Sequence, residues 1–362
     1  MGKKATLLLF NYLTGIFTVL LAIVTIMSQN CEHYSIRDYP IIAFLHLAII
    51  PLLIMNAIIF VWWLIRFKFW LWFPFITLIY STSSILTIYH PAFLHKDLTA
   101  VRGKALKVAT FNIAGFDNGV TRWSVSALAN DFKKDNPDII CMQEFVFTKE
   151  FQLDNISHIF KDYPYYAVAD RKHPILLAIY SKFPIISSKF YRFKDDAING
   201  VIISTINVRG KRINILTTHL QTTNFNQSRS MIKESFAKGL YAKLHALKSL
   251  KNTLYHNFLD RTIQSKALAL IKKHDAHYPL IICGDLNSTP FSYVYSQVKG
   301  NLNDAFVDNG QGKGSTYKYL HSIFRIDHIF YDSAYFKVKN CEVKHDYDFS
   351  DHYPQIATFV IK

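Results

Sequence analysis

The run "IICGDLNSTP", Ile281 to Pro290, carries Asp285 and Asn287 two positions apart at the end of an apolar stretch. In a strand, residues i and i+2 share a face, so both side chains would leave the strand end together. An Asx turn closing the strand would use the same residue types. Other apolar runs finish in the same way. "ATFNI" carries Asn112, "IICMQE" ends on Glu144, "LTTHL" carries His219, "RIDHIF" carries Asp327, and "SDHYP" carries Asp351 and His352. Singly, each is also a plausible turn former or a satisfied buried polar group. Repeated at one strand end after another, they point to a shared site. Carboxylate and amide oxygens are the ligands that a hard cation such as Mg²⁺ takes, with Mn²⁺ as a substitute. Imidazole supplies a charge that switches near neutral pH. Together they hold the ingredients of metal-assisted phosphoryl transfer to water.

Such groups need a scaffold. From Lys104 onward, short runs rich in β-branched residues recur: "LKVATFNI", "DIICMQE", "ILLAIYS", "GVIISTINV", "RINILTTHL", "PLIICGDLN", "RIDHIFY" and "QIATFVI". They read as strands. "RWSVSALANDFKKDN" is amphipathic and stops before Pro137, and residues 228–274 have helical spacing for most of their length. The lysines of that second stretch read as a solvated helix face, although they could also meet a nucleic acid or a membrane. Strands mixed with helices imply an α/β or α+β layered domain over residues 104–362.

The front of the chain is different. No Asp, Glu, Lys or Arg occurs in 5–31, 39–65 or 69–95, and about 20 apolar residues suffice for a helix to cross a bilayer. Residues 1–95 therefore read as a membrane domain with three transmembrane helices, and 96–103 as a polar, basic linker. A cleaved signal peptide would also begin after Lys3 and Lys4, but the first gap is long and no small-x-small site follows it. The third segment, with Pro74 and a Ser/Thr cluster at 81–84, could instead be re-entrant or interfacial. Lys3, Lys4, Arg66 and Lys68 mark the cytoplasmic ends, so the chain would be a multi-pass membrane protein with everything after about residue 95 outside the cytoplasm. The formal charge is +15, most of it after residue 100, which suits an anionic substrate without naming one. The four cysteines form no CxxC or Cys/His pattern of a zinc or redox centre.

The ordered set "FN", "QE", "THL", "GDLNSTP", "RIDHIF", "SDHYP" over roughly 104–362 resembles the endonuclease/exonuclease/phosphatase superfamily. That resemblance implies a four-layer sandwich, two central β-sheets packed face to face with helices outside, and a metal-dependent phosphoric ester hydrolase. It implies Glu144 as the principal Mg²⁺ ligand with Asn112 beside it. Asp285 would activate or position the attacking water, and Asn287 would orient it or the phosphate. His219 and His352 would face the phosphate oxygens, with Asp327 holding His352 charged and Asp351 as an outer or second-metal carboxylate. Asp327 could alternatively pair with Arg325 or close a turn. The expected partners are a lipid bilayer, through the front helices, and an anionic phosphate ester, either nucleic acid or lipid headgroup. An endonuclease-like phosphodiesterase, a sphingomyelinase-like lipid phosphodiesterase and an inactive binding domain are the competing readings.

Overall fold

The computed structural model describes residues 2–95, 103–169, 176–194, 198–223 and 240–362. The expected linker, up to residue 102, and residues 228–239 of the lysine-rich stretch lie outside these. The first uncharged gap is one helix, Lys3–Gln29. The second is broken near its start: Pro40–Phe44, a 3₁₀ turn at Leu45–Ala48, then Ile49–Ile65. The third is a pair, Phe69–Tyr80 and Thr82–Ile88, bent by 50°. Two helices are thus long and apolar enough to cross a membrane, or three if the bent pair is one span. The bend falls in the Ser/Thr cluster. There Ser81 Oγ donates to Thr77 O (2.6 Å) and Thr82 Oγ1 to Ile79 O (2.8 Å), back-bonding that bends helices. Pro74 sits in the first turn of Trp72–Tyr80, where a missing N–H costs nothing.

Polar side chains join these helices where apolar packing alone would not hold register. Asn56 Nδ2 donates to Thr25 Oγ1 (2.7 Å), Trp63 Nε1 to Thr18 Oγ1 (2.8 Å), and Gln29 Nε2 to Ser81 Oγ (2.8 Å). Gly15 lets Trp70 close in, since a Cβ there would stand 2.3 Å from the indole.

The rest of the chain builds two mixed sheets. In chain order the strands are β1 (Tyr89–His90), β2 (Ala105–Asn112), β3 (Ile139–Gln143), β4 (Tyr165–Val168), β5 (Leu177–Ser181), β6 (Ile185–Arg192) and β7 (Gly200–Val208). They continue with β8 (Lys211–His219), β9 (Leu280–Asp285), β10 (Asn303–Asp304), β11 (Gly310–Lys313), β12 (Asp327–Tyr331), β13 (Phe336–Val343) and β14 (Gln355–Ile361). One sheet runs β1-β11-β13-β14-β2-β3-β5-β4 and the other β10-β12-β9-β8-β7-β6. Between them lies a core of inward residues from both, including Val108, Cys141, Ile179, Ile215, Cys283, Ile329 and Phe359. The first sheet's outer face buries Phe111, Met142 and Tyr180 against helix residues Leu128, Phe132 and Ile156. The second packs Leu216, Ile282 and Phe330 on Leu268 and Val298 of helices Leu240–Asp275 and Tyr293–Lys299. Helix, sheet, sheet, helix makes four layers.

Helix Arg122–Asp135 starts on a Thr121/Ser124 capping box and stops at Asn136 in the left-handed conformation, directly before Pro137. It ends where the sequence predicts.

Candidate active site

Strand register brings the polar ends together. His219 of β8 pairs with Asp285 of β9, which pairs with Asp327 of β12, so three ionisable side chains end on one line across the second sheet. Gly284 permits this approach, since a Cβ there would fall 2.3 Å from Thr218 O. In the facing sheet, Asn112 of β2 pairs with Gln143 of β3, and Glu144 follows immediately. Glu144 has φ of 53°, a left-handed backbone that costs a non-glycine residue about 1 kcal/mol or more. This turn takes its carboxylate off the strand's alternation and towards Asn112.

Asp285 is the focus. Asn112 Nδ2 donates to its Oδ2 at 3.0 Å and also to Glu144 Oε1 at 3.0 Å, so one amide bridges two carboxylates. Asn112 Oδ1 accepts from Ala114 N (3.0 Å), which fixes the amide's orientation. His219 Nε2 stands 3.6 Å from Asp285 Oδ2 and 3.5 Å from Glu144 Oε1. Asn287 N donates to Asp285 Oδ1 (2.7 Å), so the Asx turn does exist, while Asn287 Nδ2 reaches Leu220 O (3.1 Å) and Asp285 Oδ2 (3.3 Å). The turn and the site are one construction. Burial alone would raise the Asp285 pKa. The charges of His352 and His219 and the Asn112 amide outweigh it, and the carboxyl is held far below the usual range.

Asp327 Oδ2 lies 2.9 Å from His352 Nδ1, and Arg325 is engaged elsewhere, donating to Asp304 Oδ2 at 2.8 Å. His352 Nε2 faces Asp285 Oδ2 (3.8 Å) and Asp351 Oδ1 (3.9 Å). Burial would lower the His352 pKa, but Asp327 and Asp285 overcome that and push it up to about 10. His219 is likewise raised, its burial offset by Asp285 and Glu144. The His352 imidazole is therefore cationic at neutral pH, and the two carboxylates beside His219 favour its charged form.

Asp285, Asp327 and His352 offer ligand atoms within 4.8 Å of one another. Asp327 Oδ2 and His352 Nδ1 are already engaged with each other, however, while Asp327 Oδ1 is buried with no hydrogen-bond partner among the described residues. The carboxylates with access to solvent are Glu144 (34% exposed) and Asp351 (31%), against 1% for Asp285 and 0% for Asp327. Burial raises the Asp351 pKa and the nearby charges of Glu144 and Asp285 add to this, with His352 opposing. Three carboxylates crowd one rim, and a hard divalent cation is the charge that such a donor set fits.

Several supporting residues carried no sequence signal strong enough to single them out. Ser350 Oγ donates to Asn112 O (2.7 Å) and accepts from His352 N (3.1 Å), fastening the segment before β14 to the end of β2 in the same sheet; it stands inside the "SDHYP" run. Tyr317 packs its ring 5.1 Å from that of His352. Thr316 Oγ1 accepts from Asp327 N (3.1 Å). Arg261 belongs to the helix whose basic residues read as solvated, yet it is fully buried. Its Nη1 donates to Asn287 O (2.5 Å) and Thr223 Oγ1 (2.8 Å), behind the strand end.

Among solved structures, an endonuclease/exonuclease/phosphatase family protein from Bacteroides thetaiotaomicron is similar at TM-score 0.50 and 18% identity, covering 72% of this chain and 99% of that one. D. rerio TDP2 complexed with a single-strand DNA product is similar at TM-score 0.50 and 16% identity, covering 71% and 99%. At such identity the likeness is one of fold. No curated protein matches the chain. Residues 8–88 match a domain of unknown function (DUF8431). The span that holds every one of these converging side chains, 109–352, matches the Endonuclease/Exonuclease/phosphatase family, and the chain belongs to that family.

Proposed function

We propose that this protein is a membrane-anchored, Mg²⁺-dependent hydrolase of phosphate esters that acts on phosphodiesters. The observation that carries the reading is the convergence of Asn112, His219 and His352 nitrogens within 3.8 Å of Asp285 Oδ2, beside the half-exposed Glu144. Glu144 and Asp351 would hold the cation, with the Asn112 amide fixing Glu144. Mg²⁺, when bound, supplies Lewis-acid polarisation of a phosphoryl oxygen.

The chain's own groups do the rest. His352, held cationic by Asp327, and His219 stabilise the charge that builds on the phosphoryl oxygens. Asp327 keeps His352 protonated and turned so that Nε2 faces the cleft. Asp285 is too acidic to take a proton early. It orients the attacking water by accepting its hydrogen bond, and Asn287 restricts that water's position. Water oxygen adds to phosphorus, one ester P–O bond breaks, and the leaving oxygen ends protonated as an alcohol. The products are a phosphate monoester and that alcohol. A loose transition state places most of the demand on positioning and charge, which suits a weak base flanked by two histidines.

The basic residues Lys3, Lys4, Arg66 and Lys68 support a cytoplasmic amino end and a catalytic domain on the opposite side of the membrane. Hydrolysis of bis(p-nitrophenyl) phosphate by the full chain in detergent tests the reading. Turnover should stop with EDTA and return with Mg²⁺ or Mn²⁺. EDTA-resistant turnover, or none with any divalent ion, would refute it.

A further inference from the structure

The apolar helices meet the two-sheet domain along the same edge as the candidate site. His46 Nδ1 lies 2.8 Å from Thr289 Oγ1. The Phe44 ring sits 4.9 Å from that of Phe258 on the long helix, and Ile49 and Leu53 pack on Phe291. On the other flank, Arg325 Nε donates to Thr87 O (3.2 Å). Thr289 and Phe291 belong to the loop just past Asn287, and Arg325 stands two residues before Asp327. The ends of the apolar helices therefore contact the domain at residues that directly flank the site.

The site opens into a cavity of about 650 Å³, the size of a cleft for a whole small ligand rather than for a phosphate group alone. One end is polar, with Glu144, His219, Asp285, Asp351 and His352. The remainder is mainly apolar, including Leu47, Leu176, Leu254, Phe258, Phe324 and Ile326. Leu47 is supplied by the 3₁₀ turn that leads into helix Ile49–Ile65, whose Ile54 and Ile58 are exposed. One wall of the cleft is thus continuous with a helix that has the length and composition to enter a bilayer.

Charge separates the two substrate classes. A cleft for a nucleic acid strand carries Lys and Arg along its length, for successive phosphates. Among the described residues this cavity is lined by neither. His219 and His352 instead stand together on Asp285 Oδ2, at 3.6 and 3.8 Å, an arrangement that suits a single phosphate with hydrocarbon behind it.

We propose that the cleft takes a phosphodiester lipid from the membrane in which the apolar helices sit. Its phosphate lies at His219 and His352, and its hydrocarbon side lies against Leu47, Leu254 and Phe258. Leu47, a residue of the membrane domain, helps to select a chain-bearing substrate. The proposal rests on the phosphoesterase reading above and deepens it. The reaction is hydrolysis alone, diester plus water giving monoester plus alcohol, with no other co-reactant.

The test uses the full chain with Mg²⁺ and three probes: bis(p-nitrophenyl) phosphate, a single-stranded oligonucleotide, and mixed micelles carrying sphingomyelin, phosphatidylcholine or phosphatidylglycerol. At least one lipid should exceed the soluble diester in kcat/KM by about tenfold or more, the order that apolar pocket contacts confer. Leu47→Asp should lower that lipid-to-soluble ratio by about tenfold, and Leu47→Met should keep it. The milder Leu47→Ala, read in the same way, decides the matter if the aspartate variant fails to fold. Turnover of the oligonucleotide above every lipid, or an unchanged ratio in Leu47→Ala and Leu47→Asp, would overturn this proposal while leaving phosphodiester hydrolysis intact. No hydrolysis of any probe would overturn both.

Discussion

Replacing Asp327 by Asn removes one charge and almost no volume from the centre of the site. The carboxylate stands 2.9 Å from His352 Nδ1, and the imidazole's pKa is pushed up to about 10. Two unit charges at about 4 Å interact by about 4 kcal/mol at an effective dielectric near 20. That energy moves a pKa by about three. His352 should therefore titrate near pH 7 in the variant, still supported by Asp285 at 3.8 Å and Asp351 at 3.9 Å. The sign follows directly. A histidine with a raised pKa is cationic below that value and neutral above it. The wild type keeps its imidazolium throughout the neutral range, and Asp327→Asn loses it as pH rises through about 7. A neutral imidazole stabilises little of the developing phosphoryl charge, and such a loss costs about 10²–10³ in rate. The kcat/KM profile of the free enzyme between about pH 5 and 9 reports this. The variant should approach wild type on the acid side and fall away progressively on the alkaline side. A second measurement uses His352→Ala with and without Asp327→Asn. The two losses should overlap rather than multiply, because the aspartate acts through the histidine. A uniform loss at every pH, or fully multiplicative losses, would refute the pairing as the reason for Asp327.

Glu144→Gln keeps the volume and the hydrogen bond to Asn112 but removes a charge from the carboxylate rim. Turnover should fall by about 10²–10³, as for loss of one electrostatic stabiliser, with the same unfolding temperature. Near-normal turnover at low Mg²⁺ would remove Glu144 from the cation site. For topology, a reporter active only in the cytoplasm, fused after Lys362, should stay silent, and a strong signal from it would reverse the orientation drawn from Lys3, Lys4, Arg66 and Lys68.

The parts of the fold legible in the sequence were those with a strong local period. β2, β3, β8, β9, β12 and β14 are buried on both faces and read as near-continuous apolar runs. Two strands of mixed polarity did not stand out. β6, "IISSKFYR", and β13, "FKVKNCEV", carry lysines and polar residues, as strands near a sheet margin do to discourage aberrant pairing, and their local signal is correspondingly weak. The polar strand ends could be picked out because each interrupts an apolar run. Ser350, Thr316 and Tyr317 could not, since their value lies in contacts between distant segments. Arg261 shows why charge alone misleads. Lys248, Lys251 and Lys266 of the same helix are exposed, whereas the packing of Leu240–Asp275 against the strand end puts Arg261 inside. The third apolar segment was ambiguous in the sequence for a physical reason: the same Ser/Thr hydroxyls that a membrane tolerates also bend the helix at Ser81.

The pairing of Tyr89–His90 with Gly312–Lys313 changes what joins the two halves of the chain. A flexible tether of about seven residues would let a domain wander by about 15 Å. Here the segment leaving the last apolar helix is itself an edge strand of the first sheet, so the two halves share a sheet before residue 96 is reached. With the apolar helices in a bilayer, as proposed above, the domain would be moored at fixed height and attitude, and its cleft would sample a plane rather than a volume. Removing the front of the chain would do more than cut a tether. It would strip an edge strand, bare the backbone of β11 for pairing with another copy, and uncover Phe291 and Phe258. A shortened form cut near residue 100 would therefore tend to self-associate, and its solution behaviour would be that of a sheet with an open margin.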